Sequence, residues 1–322
     1  MQLLTYGHED GDVVGLHVRG KVYDLRVCLE AAGPDLGGSV PAGPLPDLKG
    51  IIGAWQEWEA PLRALEDKLE RFIGRIPESA QKPVDEVTFL PPIPRPGKNP
   101  VMLGRNYQAH AEEGSRVYAA QLGSAVIERP IYFTKAATSL VGHRADVIHH
   151  PITKELDYEA ELAVIIGKAG RGIPPEKVMD YIFGYTVCND VSARDLQHEH
   201  KQWFLGKSLD TSFPVGPWIV TKDEIPDPHA LRVTCRINGE TRQDANTSDL
   251  IFDIPACISV FSQGVTIEAG DLFATGTPEG CAFAMTPPRF LKAGDVMECE
   301  VERVGCLVNP VVAPSSERSS GP

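Results

Sequence analysis

The sequence predicts an α+β protein that is mostly β, with a small α+β unit in front of a larger, β-rich unit. After residue 100, short runs rich in β-branched residues recur between turn residues, and helical patterns are few. Regular alternation of strands with long helices would indicate a parallel sheet, and the sequence lacks it. Helices in the larger unit are predicted near residues 107–121, near 175–181, after Asp195 and near 253–263.

The smaller unit is predicted over residues 1–90. Apolar and polar residues alternate in QLLTY, VVGLHV and VYDL, and Asp-Gly and Arg-Gly pairs between these runs predict hairpin turns. Residues 55–73 then carry apolar side chains at helical spacing. The stiff segment PPIPRPGKNP predicts the joint to a second domain over residues 91–312. The low-complexity tail, residues 313–322, is predicted to be disordered.

Composition limits the partners and the compartment. A net charge of -13 argues against nucleic acid and anionic membranes, so an anionic substrate needs local positive charge from a metal or from lysines. Seven scattered cysteines without a C-x-x-C pair predict reduced, buried thiols. The N-terminal residues lack a signal-peptide pattern, and no apolar run reaches membrane-spanning length. We therefore expect a cytoplasmic protein.

The segment LDYEAELAVIIGK, residues 156–168, carries the first candidate site. Its apolar run predicts a strand on which Glu159 and Glu161 share one face, with Tyr158 and Leu162 on the other. Two carboxylates about 7 Å apart that enter an apolar core would repel each other and be poorly solvated. A divalent cation between them would solve both problems. An edge strand whose glutamates meet water explains the strand alone equally well.

A second β run, YTVCND, ends at Asp190 before a polar turn into a helix. Asp190 could cap that helix, and Asp195 could serve its first turn. Asp190 also lies where the end of an inward-facing strand could supply a third oxygen ligand. Three carboxylates with no His or Cys nearby in sequence favour a hard ion, Mg2+ or Mn2+, with Ca2+ as a further candidate.

Three weaker motifs add candidate residues. His110 and Glu113 would be neighbours on a helix, where the carboxylate could orient the imidazole as a base; a surface salt bridge is the commoner use of such a pair. Lys207, in a Gly/Ser frame, could reach a bound carboxylate or enolate, or be a solvated lysine. The glycines of GDLFATGTPEG and the hydroxyl of Thr277 could contact a ligand, or form a plain hairpin turn.

Six motifs in one order resemble the fumarylacetoacetate hydrolase family. They read GRNY..H..E, FTKAATSLVG, LDYEAELAVIIG, NDVSARDLQ, W..GKSLDTSFPVGPW and SDLIFDIPACISVFS…GDLFATGTPEG, and they span about two thirds of the chain. The nearest branch holds bacterial acylpyruvate and 2,4-diketo-3-deoxy-sugar-acid hydrolases. The resemblance implies a mixed β-roll, a small N-terminal domain and a homodimer.

The resemblance also implies roles for particular residues. Three carboxylates would bind the metal, a lid pair and a lysine would act in catalysis, and two polar residues would hold the substrate. In that order they are Glu159, Glu161 and Asp190; His110, Glu113 and Lys207; and Gln197 and Thr277.

Two stretches depart from the family pattern. Residues 106–109 lack the additional acidic metal ligand of animal fumarylacetoacetases. Cys281, Ala282 and Phe283 follow the glycine turn where Val-Gly is more usual, so the substrate pocket is expected to differ there.

These assignments predict metal-dependent hydrolysis of a C–C bond in a 2,4-dioxo acid. The ion would hold the carboxylate and 2-oxo oxygens, Glu113 would orient His110 to activate water, and Lys207 would help to stabilise the departing pyruvate-type enolate. An oxaloacetate-type decarboxylase, an isomerase or a hydratase could use the same site, because the fold does not choose among them. A non-catalytic relative that binds a small acid or a protein partner is the alternative of another class.

Overall fold

The computed structural model describes residues 1–9, 11–36 and 40–314. Most of the predicted disordered tail and Asp10 of the first predicted turn lie outside the described residues. The strands are β1 Gln2–His8, β2 Gly11–Val18, β3 Lys21–Asp24, β4 Gln81–Pro83, β5 Thr88–Phe89, β6 Val101–Gly104, β7 Ile131–Thr134, β8 Leu140–Val141, β9 Val147–Ile148, β10 Leu156–Asp157, β11 Ala160–Ile166, β12 Ile182–Asn189, β13 Ser192–Ala193, β14 Phe213–Thr221, β15 Arg232–Ile237, β16 Glu240–Asn246, β17 Leu272–Ala274, β18 Val296–Val301 and β19 Gly305–Val312. The α-helices are α1 Leu25–Ala32, α2 Leu48–Gly53, α3 Trp55–Phe72, α4 Gln108–Val117, α5 Ala119–Leu122, α6 Arg194–Glu199, α7 Phe204–Lys207 and α8 Ile254–Ser262.

Mixed sheets dominate the architecture. The largest runs β4-β3-β2-β1-β14-β12-β11-β17-β6-β7, with β5 on β1 and β8 on β14. A second sheet runs β16-β15-β18-β19-β9, and β10 pairs with β13. The pairs β17–β6, β14–β8 and β19–β9 are parallel, and the other pairs are antiparallel. In the described residues, 19 strands in extended sheets with eight α-helices beside them confirm the predicted α+β class with its extensive β-structure.

The N-terminal hairpins follow the sequence pattern. His8 pairs with Gly11, and Val18 pairs with Lys21 across an Arg-Gly turn in which both φ angles are positive, 49° and 79°. Two consecutive positive φ angles suit a two-residue hairpin, because that turn matches the twist of the strands. The predicted helix at 55–73 is α3, which ends at Phe72.

One sheet and one core extend across the predicted domain boundary. β1 pairs with β14, so Leu3 lies opposite Ile219. Leu62 of α3 belongs to the same buried cluster as Phe213 of β14. The division at residue 90 stays a prediction, and the N-terminal strands are integral to the sheet that holds the catalytic candidates.

Strand β11 lies in the middle of the large sheet, between β12 and β17. Leu162 and Val164 pack into one core cluster, and Ala163 and Ile165 into the other. This alternation confirms the predicted faces of the strand and excludes the edge-strand interpretation. Removal of each large side chain from water contributes about 1.5–3 kcal/mol, which fixes the register of the strand.

The helices of the larger unit differ in detail from the prediction. The pattern at 107–121 forms two helices, α4 and α5, because the chain leaves helical geometry at Tyr118. Residues 175–181 form a 3-10 helix rather than an α-helix. α6 begins at Arg194, one residue before Asp195, and α8 matches the prediction near 253–263.

Two predictions from composition concern cysteines and membranes. All seven cysteines are free, and only Cys306 is not fully buried, as predicted for reduced thiols. In the described ranges, no helix combines the length and the apolar character that a membrane span requires. The cytoplasmic compartment stays a prediction.

Candidate metal centre and active site

The three predicted carboxylates converge at the ends of two neighbouring strands. Glu159 precedes β11, Glu161 lies on it, and Asp190 follows β12. The antiparallel register pairs Ala160 with Asn189, and the Asp190 amide donates to the Glu159 carbonyl at 2.9 Å. Carboxylate oxygens of the three residues lie within 4.8 Å of one another, and all three side chains are buried. Register therefore brings together two motifs that lie about thirty residues apart in the chain.

Three buried cations surround this cluster. Lys207 Nζ bridges Glu159 Oε2 and Asp190 Oδ2 at 2.8 and 2.7 Å, so this lysine is not the solvated side chain of the alternative interpretation. Lys135 Nζ donates to Asp190 Oδ1 at 2.7 Å. Arg194 Nη2 lies 2.6 Å from Glu159 Oε1. Lys135 and Arg194 were not among the predicted site residues, although both lie inside the motifs FTKAATSLVG and NDVSARDLQ that carry the resemblance.

The ionised form of Glu159 is better stabilised by its surroundings than that of Glu161. Burial alone would raise its pKa, but the adjacent Arg194 and Lys207 outweigh burial and hold the pKa of the Glu159 carboxyl well below its usual range. Arg194 also donates from Nε to Asp157 Oδ2 at 2.9 Å. Glu159 is therefore ionised within a balanced set of charges.

Glu161 lacks such compensation. Its Oε2 accepts from the Gly276 amide at 2.8 Å. Burial, reinforced by the carboxylates of Asp190 and Glu159, raises the pKa of Glu161 well above its usual range. Within the described part of the chain, no Lys, Arg or His forms an ion pair with Glu161.

This imbalance is the test of whether a divalent ion fits. Four buried carboxylates, Asp157 and the three of the cluster, face three cationic side chains, and Glu161 is the one left without a cation. A divalent cation would supply the missing positive charge and keep Glu161 ionised. The donors are carboxylate oxygens alone, which hard ions such as Mg2+ or Mn2+ prefer. The residues therefore fit the predicted ion.

The lid pair lies on the other side of the cavity, on α4. His110 Nδ1 is 3.9 Å from Glu113 Oε2, and both side chains are largely buried, which excludes the surface salt bridge of the alternative interpretation. The two Glu113 oxygens accept from the Gly280 amide at 3.2 and 3.1 Å. Burial lowers the pKa of His110 to about 4 and raises the pKa of Glu113 to about 7. Burial therefore favours the uncharged form of the imidazole.

One cavity exposes five of the eight predicted residues. The five that line it are His110, Glu159, Gln197, Lys207 and Thr277. Glu161, Asp190 and Glu113 are not part of the lining and lie behind it. The cavity also meets Arg105, Tyr118, Arg194 and Phe283, which sequence reasoning did not single out as site residues.

The two predicted substrate-binding residues are already fixed by protein contacts. Thr277 Oγ1 donates to the Ala160 carbonyl at 3.0 Å and accepts from Gln243 Nε2 at 2.9 Å. Gln197 Oε1 accepts from Arg194 Nη1 at 3.1 Å. Both side chains are thereby held at the cavity wall, and their contact with substrate stays a prediction.

The loop after β17 is more than a hairpin turn. Its amides at Gly276 and Gly280 reach Glu161 and Glu113, which connects the carboxylate cluster to the lid pair. Gly280 has φ +98°, and a Cβ there would lie 2.0 Å from the Arg242 carbonyl oxygen. Only glycine fits such a close approach of two backbones.

Besides the Gly280 amide, Arg105 and Tyr118 help to hold the lid segment, which is α4 and α5, residues 108–122. Arg105 donates to the carbonyls of Leu122, Ala111 and Ser124, at 2.8, 3.2 and 2.8 Å. The Tyr118 ring packs against His198 with centroids 3.7 Å apart and ring planes tilted by 31°, at the break between the two helices. Polar and aromatic contacts therefore hold the lid segment beside the cavity.

The two departures from the family pattern have different consequences. Asn106 Nδ2 donates to the carbonyls of Thr275 and Phe252 at 2.9 and 3.0 Å, so this stretch ties loops together and brings no acid to the metal cluster. Cys281 Sγ lies 3.8 Å from His110 Nδ1, which puts a thiol beside the lid imidazole.

The chain belongs to the fumarylacetoacetate hydrolase family: the model of the family's C-terminal domain matches residues 100–312. The oxaloacetate tautomerase YisK of Bacillus subtilis is 44% identical over 258 residues, which is 76% of this chain and 83% of that protein.

Solved structures agree in fold. A fumarylacetoacetate hydrolase from Exiguobacterium antarcticum is 34% identical with a TM-score of 0.75, covering 98% of this chain and 100% of that one. The maleylpyruvate hydrolase of Sphingobium sp. SYK-6, solved with manganese and pyruvate, is 28% identical with a TM-score of 0.72 and the same coverage. The named activities of these relatives, a tautomerase and hydrolases, support enolate chemistry of this family for the present enzyme.

Proposed function

We propose that the protein interconverts the enol and keto forms of a small 2-oxo diacid of the oxaloacetate class, with Mg2+ or Mn2+. Tautomerisation needs a group that takes a proton from carbon and returns it to oxygen. The observation that carries the proposal is a buried imidazole, that of His110, which lines the same cavity as Glu159 and Lys207. A 44% identical relative is named as an oxaloacetate tautomerase, which supports the same reaction type.

Each of the predicted site residues has a proposed task. Glu159, Glu161 and Asp190 would hold a divalent ion, which would supply positive charge for the stabilisation of an enolate. Lys207 lies beside two of these carboxylates and adds positive charge to the same region.

Proton transfer would fall to His110. In the keto-to-enol direction the imidazole accepts a proton from the carbon next to the 2-oxo group, and the resulting imidazolium returns it to the 2-oxo oxygen. Glu113, 3.9 Å from Nδ1, would position the ring and stabilise its positive charge. Gln197 and Thr277 would hold the distal end of the substrate at the cavity wall.

Hydrolysis of a C–C bond in a 2,4-dioxo acid is the second candidate. The observation that favours it is the His110–Glu113 pair, because a hydrolase needs an oriented base that activates water. The maleylpyruvate hydrolase with the same overall fold supports this chemistry as well. The two reactions share the carboxylate cluster and differ in whether water attacks a distal carbonyl.

One set of assays separates the candidates. Enol-oxaloacetate and acetylpyruvate are offered to the purified protein with Mg2+, and enol absorbance and NMR product spectra are followed before and after chelation. Mg2+-dependent enol loss without pyruvate supports the tautomerase, and acetate with pyruvate from acetylpyruvate supports the hydrolase. Formation of pyruvate and carbon dioxide from oxaloacetate would contradict both candidate functions and indicate a decarboxylase. No turnover and no Mg2+-dependent thermal shift would leave the non-catalytic alternative.

A further inference from the structure

Cys281 places a soft ligand beside His110, which lines the candidate active-site cavity. Its Sγ lies 3.8 Å from His110 Nδ1, and the side chain is fully buried. Ligand atoms of Cys281, His110 and Glu159 all lie within 4.8 Å of one another. This group is different from the cluster of three carboxylates, with which it shares only Glu159.

The spacing matches a tetrahedral ion. With a Zn–S bond of about 2.3 Å and a Zn–N bond of about 2.0 Å, the sulfur and nitrogen ligands lie about 3.5 Å apart. The observed separation of 3.8 Å between Cys281 Sγ and His110 Nδ1 needs only a small adjustment. One thiolate, one imidazole and one carboxylate form the mixed donor set that zinc and cobalt accept and that magnesium avoids.

The backbone holds the thiol in this position. The Asp157 carboxylate accepts from the amides of Ala282 and Phe283 at 2.8 and 3.3 Å, directly after Cys281. Gly280, directly before it, is pressed against the Arg242 carbonyl. The sulfur therefore faces His110 because both of its chain neighbours are fixed.

A cation bound to Glu159 would replace a contact with Arg194 or Lys207, which hold its two carboxylate oxygens at 2.6 and 2.8 Å. Arg194 and Lys207 contact Glu159, but each is also paired with a second carboxylate, Asp157 and Asp190 respectively. On binding, the thiol would release its proton to solvent and the sulfur would donate a lone pair to the ion, as the neutral imidazole does, with no change of oxidation state.

We propose that Cys281, His110 and Glu159 form a second, soft-ion site that takes Zn2+ or Co2+ and blocks the reaction. Blocking follows because the ion occupies the imidazole that carries the proton and a carboxylate of the hard-ion site. Mg2+ and Zn2+ then act in opposite senses through neighbouring sites that share Glu159.

Cobalt absorption tests the site without relying on turnover. The full-length protein, stripped of metal, is titrated with Co2+ in the presence of excess Mg2+. A thiolate-to-cobalt charge-transfer band with strong tetrahedral visible bands is expected in the wild type, absent from Cys281→Val and Cys281→Ser. Cys306→Ser is the matched control, since Cys306 is the thiol with partial exposure, and it retains the band.

Zinc inhibition provides the functional arm. The midpoint of Zn2+ inhibition, relative to each variant's own zinc-free activity, is expected to rise about 100-fold in Cys281→Val and to stay unchanged in Cys306→Ser. Absence of the band in the wild type, or its loss in Cys306→Ser alone, overturns the proposal. If Cys281→Val does not fold, Cys281→Ser and the wild-type spectrum still decide the outcome. The absorption result is independent of which reaction the enzyme catalyses.

Discussion

The two sides of the cavity are built and held in different ways. Glu159, Glu161 and Asp190 lie at the ends of central strands, β11 and β12, where every neighbouring side chain is buried. His110 and Glu113 lie on α4 of the lid segment, whose second helix, α5, is largely exposed. The carboxylate side is fixed by sheet register and buried ion pairs, and the lid by the donors of Arg105 and the ring of Tyr118.

This contrast indicates that one side of the cavity is rigid and that the other side is easier to move. Buried charges cannot shift without losing their partners, so we expect the carboxylate side to keep its geometry when a ligand binds. Ring contacts and exposed helix ends cost little to separate, so we expect any opening for substrate to occur at the lid. Substitutions on the first side should therefore change both activity and folding, and those on the lid mainly turnover or substrate affinity.

The largest effect is expected from the two glutamates, which should differ in stability and agree in activity. Glu159→Gln and Glu161→Gln should each lower Mg2+-dependent activity about 1000-fold, because each removes a ligand charge. Glu159→Gln should also cost about 3–5 kcal/mol of unfolding free energy, because Arg194 and Lys207 lose a charged partner.

Glu161→Gln should raise the stability of the metal-free protein at neutral pH. A raised folded-state pKa gives stability that is present below the ordinary Glu pKa and is lost as pH rises, so removal of the carboxyl relieves the cost. Urea unfolding of both variants in chelator measures this. Equal destabilisation by the two substitutions would contradict the charge imbalance described for Glu161.

Lys135→Met should be the next largest change, because it breaks a fully buried pair with Asp190. The expected loss is about 3–5 kcal/mol of unfolding free energy. Lys98→Met is the matched control: Lys98 pairs with Glu268 and Asp271 at the surface, and its loss should cost less than about 1 kcal/mol. Urea unfolding measures both losses. Similar losses of unfolding free energy in the two variants would contradict the idea that the buried ion pairs of the carboxylate side contribute more to stability than surface ion pairs.

The pH profile should report Glu113 on the lid side. Burial raises the pKa of Glu113 to about 7, so activity should rise as pH increases through that value and the carboxylate ionises. Glu113→Gln should have about 10-fold lower activity than wild type above pH 7, and its activity should no longer rise as the pH increases through 7. The stability of the fold should change with pH in the opposite direction to activity. The contribution of Glu113 to stability is fully present below the ordinary Glu pKa, and it is lost as the pH rises through the folded-state pKa of about 7. Glu113→Gln should therefore gain stability relative to wild type between pH 5 and pH 8, and an unchanged limb in this variant would assign the profile to another group.

The smallest effect is expected from the ring that closes the lid. Tyr118→Leu removes a ring contact with His198 worth about 0.5–1.5 kcal/mol, so KM should rise about 2- to 10-fold with little change in the free energy of global unfolding. Tyr181→Leu, at a tyrosine that does not line the cavity, should leave KM unchanged. A KM effect of the same size in both variants would contradict a lid held by Tyr118.

The predictable part of the site came from local patterns. The alternation around Leu162 placed Glu159 and Glu161 on one face, and burial of that face in the structure agrees. The three-residue spacing of His110 and Glu113 placed both on one helix, α4. These features depend on chain periodicity alone, so a single sequence suffices to predict them.

The contacts that set the charges could not be predicted in this way. Lys135 contacts Asp190, which lies 55 residues away in the chain. Glu113 contacts the Gly280 amide, which lies 167 residues away. Both depend on the sheet register and on the loop after β17. The sequence pattern also did not reveal the break of the lid helix at Tyr118, whose ring packs against His198, 80 residues further along the chain.

The sequence by itself determined the fold class, the hard-ion donor set and the motifs, because strand periodicity and residue chemistry are local properties. Only the tertiary structure decided which carboxylate lacks a cation, which histidine is neutral and that a thiol faces it. Those properties depend on distances between side chains that the chain order does not specify, and on burial, which sets the cost of charge at each one.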